Sequence, residues 1–189
     1  MKRVFDVIFG TLAIVLLSPL LAAISLFVLF ADGRPVIFSQ DRVGRDNKLF
    51  RIRKFRTMKN GTANVAKKEL ENYEKHLIRG GNFLRRTSLD ELPQLFNIVR
   101  GDMSFVGPRP LIPEETEIRK MRADAGVYSV RPGVTGWAQV NGRDFISDEE
   151  KTAYDREYVE QHSIGMDLKI LWKTVGVVLT HKDMSQDTK

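Results

Sequence analysis

From Val7 to Ala31 the chain reads VIFGTLAIVLLSPLLAAISLFVLFA, 25 residues without a charge. At about 1.5 Å per residue, a helix of that length covers the roughly 30 Å hydrocarbon core of a bilayer. Ser18-Pro19 falls in its middle. Proline removes a backbone donor and crowds the preceding turn, so the pattern predicts a membrane helix broken there. Lys2 and Arg3 precede the segment and Arg34, Arg42 and Arg45 follow it, and the positive-inside rule then favours the cytoplasm for both ends. A proline-kinked transmembrane anchor accounts for length and proline. A re-entrant segment, entering and leaving by one face, accounts for the charges as well. The apolar run exceeds the usual 7 to 15 residues of a cleaved signal peptide.

Beyond the apolar run the pattern changes period. VIFSQDRVGRDNKLFRIRKFRTM (36 to 58) holds two β-prone runs separated by Gly44-Arg45-Asp46-Asn47, which predicts a hairpin. After the short linker NGTAN (60 to 64), Ala66, Leu70, Tyr73 and Leu77 recur at helical spacing, predicting an amphipathic helix that Gly80-Gly81 ends. Ser147-x-x-Glu150 is a capping-box pattern opening a polar helix that runs to His162. Residues 166 to 181 follow as a third helix. Met166, Ile170, Leu171, Val175, Val178 and Leu179 mark its apolar side, Lys169 and Lys173 lie opposite, and Trp172 suits a membrane interface. Two Gly/Pro-rich pieces, RGDMSFVGPRP (100 to 110) and RPGVTGWAQVNGR (131 to 143), read as loops that present donors to a ligand. The expected class is α+β and mainly helical: a re-entrant membrane helix over 1–31, then a cytoplasmic, membrane-associated catalytic domain over 32–189 with a small hairpin and interfacial helices.

Composition narrows the chemistry. At 189 residues the chain can bury one core. Without cysteine there is no disulfide, thiolate nucleophile or cysteine-ligated zinc. His76, His162 and His181 have no metal-ligand spacing. Between Asp32 and Lys59 nine Lys or Arg face three Asp, a surplus of six that equals the net charge of the whole chain. A basic patch beside an apolar segment suits anionic lipid, nucleic acid or a phosphorylated substrate. The anchor, and the few aromatics among the basic residues, argue against nucleic acid. Lys54 and Arg56 are the better site candidates within the patch.

One acidic pair stands among cations: Asp90-Glu91 in SLDELPQLFN (88 to 97), flanked by Arg85-Arg86, Arg100 and Arg109. With Ser88 as N-cap, Pro93 falls inside the helix at a cost of about 3 kcal/mol. With Asp90 as N-cap it falls at the third position, where the missing N–H costs little, so Asp90 is expected at a helix entrance. Such an entrance beside arginines binds anions, and carboxylates within it repel phosphate unless a divalent cation screens them. Mg²⁺ takes one or two protein carboxylates, keeps water and bridges to phosphates.

KRVFD (2 to 6), the Ser18-Pro19 break, KFRTM (54 to 58), SLDELPQLFN, GDMSFVGPRP and RPGVTGWAQVNGR, in this order, resemble the bacterial monotopic phosphoglycosyl transferases, or bacterial sugar transferases. The resemblance covers essentially the whole chain and corresponds to the short form, without additional transmembrane helices. It implies transfer of a sugar 1-phosphate from a UDP-sugar to undecaprenyl phosphate, release of UMP, Mg²⁺ and a re-entrant helix at the inner membrane. It puts the nucleophile on Asp90, with Glu91 as partner in the metal site or in proton transfer. Phosphate and nucleotide contacts are expected from Lys54, Arg56, Arg85, Arg109, Gln139, Asn141 and Arg143. Trp137 is either a loop-packing aromatic or a base-stacking one. The competing class is a non-catalytic adaptor that binds anionic lipid through the basic patch.

Overall fold

The computed structural model describes residues 2–62, 73–142 and 146–180. Helix α1 (Lys2–Asp32) is followed by the antiparallel strands β1 (Ile37–Val43) and β2 (Leu49–Phe55). Next come α2 (Gly81–Arg86), a 3-10 turn at Leu89–Glu91, α3 (Gln94–Arg100), β3 (Ser104–Val106) and α4 (Thr116–Asp124). Strand β4 (Gly133–Thr135), α5 (Trp137–Asn141), α6 (Asp148–Gln161) and α7 (Ile164–Thr180) complete the order. The chain is mainly helical with one small hairpin, as the pattern predicts, and it adds a short parallel β3–β4 pair that the pattern does not.

The expected break at Ser18-Pro19 does not end the helix, since helical structure runs from Lys2 to Asp32 with Pro19 inside. Pro19 has no N–H to offer the Val15 carbonyl. The Ser18 hydroxyl donates to that oxygen instead, at 2.8 Å. Serine before proline thus satisfies the acceptor that proline strands, which counts where no water is at hand.

Helix α1 lies against the rest of the chain along its length. At its start Arg3 donates to the carbonyls of Ile98 and Val99, the latter at 2.6 Å, where the α3 dipole favours a cation. Lys2 pairs with Asp167 of α7. Buried Asp6 accepts from the Ser104 hydroxyl at 2.9 Å and the Phe105 N–H at 3.3 Å. Ala13, Ile14 and Leu17 pack on Ile52, Leu95, Ile98 and Met103, and Leu21, Ile24 and Val28 pack with Phe55, Ile78 and Leu84. The opposite face, including Phe5, Phe9, Leu12, Leu16, Phe27 and Phe30, is exposed. Among the described residues α1 is the one helix long and apolar enough to cross a membrane.

The hairpin turns at Asp46 and Asn47, both at positive φ (56° and 57°), a conformation that their short polar side chains tolerate. Strand β2 pairs with β1 on one edge only. On the other edge the buried Asn97 amide of α3 takes the place of a strand: Oδ1 accepts from the Arg53 N–H at 3.1 Å, and Nδ2 donates to the Arg51 carbonyl at 2.8 Å.

The two Gly/Pro-rich pieces cross where β3 meets β4. A Cβ on Gly133 would lie 2.1 Å from the Gly107 nitrogen, and one on Gly136 the same distance from the Gly107 oxygen. These glycines let backbones touch. The PRP segment is held from behind by buried Arg122 of α4, which donates to the Arg109 carbonyl at 2.7 Å and pairs with buried Asp155 of α6 at 2.5 Å.

The capping box opens α6 as expected: Ser147 Oγ accepts from the Glu150 N–H at 3.2 Å, and Glu150 Oε2 from the Ser147 N–H at 2.8 Å. Two expectations need correction. Residues 66–72 of the expected 66–77 helix lie outside those described, and Tyr73–His76 forms only a 3-10 turn. Gly80 (φ 74°) precedes α2 rather than closing a helix. On α7, Lys169 and Lys173 do not face away from the protein: their ammonium groups sit 5.0 and 4.5 Å from the Trp137 ring centre. The outward stripe is Leu168, Leu171, Trp172 and Val175 instead, with Trp172 81% exposed. The side chains of Val178 and Leu179, like His181, lie outside those described.

Replacing Asn97 by alanine strands two backbone groups on β2. Asn97→Ala should lower unfolding stability by about 2–3 kcal/mol, read from thermal or denaturant unfolding in detergent. An unchanged midpoint would show that the staple contributes nothing.

Candidate active site

Asp90 does not cap α3 as the proline argument expects. The residue in the cap position is Pro93 (φ −62°), preceded by the Leu89–Glu91 turn. Proline is more favourable there than one turn inside, because its fixed φ is already helical and no N–H is lost from the ladder. Ser88, at φ 55°, reverses the chain ahead of the turn. Asp90 therefore sits in a tight turn between two helices. The turn packs on β2.

Asp90 is 7% exposed. Burial, and then the adjacent Glu91 charge, push its carboxyl up to about 6, against the opposing pull of Lys54 and Arg85. Glu91 is half-buried and accepts from Lys54 Nζ at 2.6 Å. Beside the pair runs a narrow cleft lined by Arg42, Lys54, Glu91, Gln94 and Arg109, with Ile52, Pro110, Gly133 and Val134. Asp90 adjoins this cleft through Glu91 rather than forming its wall.

Hairpin register explains which basic residues reach the cleft. Arg42, Gln40 and Phe38 stand opposite Phe50, Ile52 and Lys54, so alternation puts Arg42 and Lys54 on one face. Arg42 donates to the Pro110 carbonyl at 3.2 Å and to Gln40 Oε1 at 2.7 Å, while its Nε is buried with no partner. Burial, then the nearby Arg109 charge, lower Arg42 to about 10, still a cation at neutral pH. Arg42 and Gln94 were not among the expected site residues. The signal for Arg42 was available, since pairing the two predicted strands across the 44–47 turn puts it on the Lys54 face.

The other expected residues divide. Arg109 reaches the cleft, exposed on its rim. Arg85 donates to Thr57 Oγ1 at 2.8 Å and to the Tyr73 hydroxyl, close enough to Asp90 to act on its charge. Arg56 does not line the cleft: its buried guanidinium holds Asp32 Oδ2 at 2.6 Å and the carbonyls of Asp32 and Gly33 at 2.9 and 2.8 Å, closing the end of α1. Asn141 donates to the Trp137 carbonyl and accepts from Lys173 at 3.0 Å. Gln139 has both amide atoms buried without a partner, and Arg143 lies outside the described residues. Trp137 is a packing aromatic, donating to Glu157 at 2.9 Å and meeting Tyr154 edge-on.

A family model described as bacterial sugar transferase matches residues 1–181. The chain belongs to that family. Relatives of the sugar transferase family include the UDP-glucose:undecaprenyl-phosphate glucose-1-phosphate transferase of Escherichia coli K12, 39% identical over 93% of this chain and 39% of that protein. The exopolysaccharide production protein ExoY of Rhizobium meliloti is 38% identical over 94% of this chain and 84% of its own. The uncharacterized sugar transferase EpsL of Bacillus subtilis is 40% identical over 98% and 91%. The chain thus spans about two-fifths of the Escherichia coli relative's length and nearly all of EpsL.

The Escherichia coli relative is named for transfer of a sugar 1-phosphate, and the carboxylates here are of a kind that suits a screening cation. No group of three or more metal-ligating side chains forms a cage among the described residues. Two adjacent carboxylates beside a basic cleft fit Mg²⁺, which retains water and takes phosphate oxygens. In metal-free protein, the Asp90 carboxyl should titrate with a midpoint near 6, read by carbonyl NMR. Glu91→Gln removes the charge that raises it and should move the midpoint down; an unchanged or higher value would refute this account of the pair.

Proposed function

We propose that this chain transfers a sugar 1-phosphate from a UDP-sugar to undecaprenyl phosphate, at the cytoplasmic face of the bacterial inner membrane. The observation that carries the reading is the convergence of Arg42, Lys54 and Arg109 on a cleft beside the Asp90-Glu91 pair, in a body whose first helix offers lipid an apolar face. A triad of cations suits a diphosphate. The Escherichia coli relative is named for a reaction of this class.

In the first half-reaction an Asp90 carboxylate oxygen attacks the sugar-bearing phosphorus. The new Asp–phosphorus bond replaces the bond to the bridging oxygen, and UMP leaves with that oxygen. In the second, a phosphate oxygen of undecaprenyl phosphate attacks the same phosphorus, the Asp90 oxygen departs, and undecaprenyl diphosphate sugar forms. Holding the phosphosugar on the protein means that a charged donor and a greasy acceptor need not bind at once. Arg42, Lys54 and Arg109 offset charge that builds on the phosphoryl oxygens, and in-line transfer depends more on such screening than on covalent chemistry. Glu91 positions Lys54 through their 2.6 Å contact and, with Asp90, would hold Mg²⁺. The metal, when bound, supplies further charge neutralisation at the diphosphate.

Packing also supports a monotopic arrangement. Both ends of α1 are fastened to the same body, through Arg3 and Asp6 at one end and through Asp32 to Arg56 at the other. A span that carried one end across the bilayer would take polar groups of that body with it.

Incubation of the purified protein with a labelled UDP-sugar panel and Mg²⁺, without acceptor, should release one UMP per active protein and label Asp90. Asp90→Asn and chelation of the metal should each abolish the release. No UMP and no adduct from any donor would sink the covalent route.

Single cysteines at Lys2 and Arg34 should both react with a membrane-impermeant maleimide added from the cytoplasmic side. Labelling from opposite sides would establish a span.

A further inference from the structure

Among the nine residues that line the cleft, Gln94 alone has a polar, uncharged side chain. It is 2% exposed, and its amide makes no hydrogen bond among the described residues. Its polar neighbours are engaged: Lys54 and Glu91 hold each other, and Arg42 holds Pro110 and Gln40. A buried amide without a partner destabilises a fold, so its place at a ligand cleft calls for a reason. The backbone brings it to the acidic pair. The Leu92 N–H donates to the Leu89 carbonyl at 3.3 Å and the Leu95 N–H to the Leu92 carbonyl at 3.1 Å, with Leu92 and Pro93 both in the right-handed helical region. Near three residues per turn, positions i and i+3 fall in line. Gln94 therefore stands one turn beyond Glu91, with Asp90 its i, i+4 neighbour.

We propose that Gln94 is a further catalytic residue, its amide N–H donating to a non-bridging oxygen of the sugar-bearing phosphoryl group in both half-reactions. The assignment rests on the reaction proposed above. Phosphorus must come within bonding distance of Asp90 in each step, so its oxygens pass beside the side chain one turn along. Negative charge builds on those oxygens, and a donor held in place beforehand stabilises it without reorganisation. Neutrality matters at this position. A lysine or arginine would pair with the adjoining carboxylates, as Lys54 does with Glu91, whereas an amide leaves the nucleophile free and keeps its protons throughout. The cost of burying the unpaired amide is recovered when a phosphoryl oxygen meets it.

Gln94→Leu in the full chain tests this. The change nearly conserves volume and leaves no protein group unpaired, so the melting temperature should match or exceed that of the native chain. In single turnover with a UDP-sugar and Mg²⁺, UMP release should slow by about 10 to 100-fold, by a similar factor for every donor that the native chain accepts. Transfer from the labelled protein to undecaprenyl phosphate should slow likewise. The Kd for UMP should stay unmoved, because UMP lacks the sugar-bearing phosphorus. Native rates in the variant would overturn the assignment. So would a loss confined to some sugars, which puts the amide on a sugar hydroxyl, or a lowered melting temperature, which makes its role structural. Side-chain amide NMR reads the contact without turnover. The Gln94 resonances, identified by their absence from Gln94→Leu, should shift with UDP, whose terminal phosphate stands in for the transferred group, and not with UMP; no shift with UDP, or an equal one with UMP, would also overturn it. If the native chain releases no UMP from any donor, the functional reading falls, while the UDP and UMP spectra still decide whether the amide meets that phosphate.

Discussion

Strand β2 has a partner on one edge only, and the Asn97 amide supplies the other. Much of the arrangement follows from that substitution of a side chain for a strand. An unpaired edge at the centre of a small body costs free energy for every stranded donor and acceptor, so α3 is drawn up against β2 and held in one register. The turn that carries Asp90 and Glu91 leads directly into α3. Docking the helix therefore places the carboxylates beside Lys54, and only a few residues separate the structural amide from the acidic pair.

Helix α1 is fastened by chemistry suited to each of its ends. Arg3 meets carbonyls at the negative end of α3, Asp6 meets a hydroxyl and an N–H, and Asp32 meets Arg56. The middle is held by apolar contact with Ile52, Leu95 and Ile98, and with Phe55, Ile78 and Leu84. The outward face then presents large apolar side chains that the described residues leave exposed, and lipid can cover such a face at no cost in hydrophobic energy. The exposed stripe of α7 adds a second apolar surface, while its lysines turn inward over Trp137 and help to seat α5.

Electrostatics in the cleft are arranged in opposition. Two carboxylates adjoin and one of them is buried, which raises the cost of charging Asp90. Lys54 and Arg85 lower that cost, and Arg42 and Arg109 stand across the cleft, with Arg42 itself paying for burial beside a like charge. A cleft with this surplus of cations favours a polyanion over a neutral ligand. Behind it, Asp155 and Arg122 brace the Arg109 backbone, so the rim cation is carried on a fixed segment.

The long apolar helix at the start, the hairpin, the capping box of α6 and the family itself were legible in the sequence, because each rests on local pattern or on residues in order. Glu91, Lys54 and Arg109, each named from its motif, do meet at one cleft, with Asp90 beside it. Several roles were not legible. Arg56 looked like a substrate ligand by its place in a basic run, but the far end of α1 takes its guanidinium, and Asn141 is taken by Trp137 and Lys173. Arg42 and Gln94 entered the cleft unannounced, since membership depends on strand register and helix docking between distant segments. Sequence by itself determined where apolar runs, turns and charges fall, through hydration and backbone sterics that act over a few residues. Only the tertiary structure decided which cations face the carboxylates and which hold the fold together, because each buried charge goes to the nearest partner in space, and that partner is set by packing.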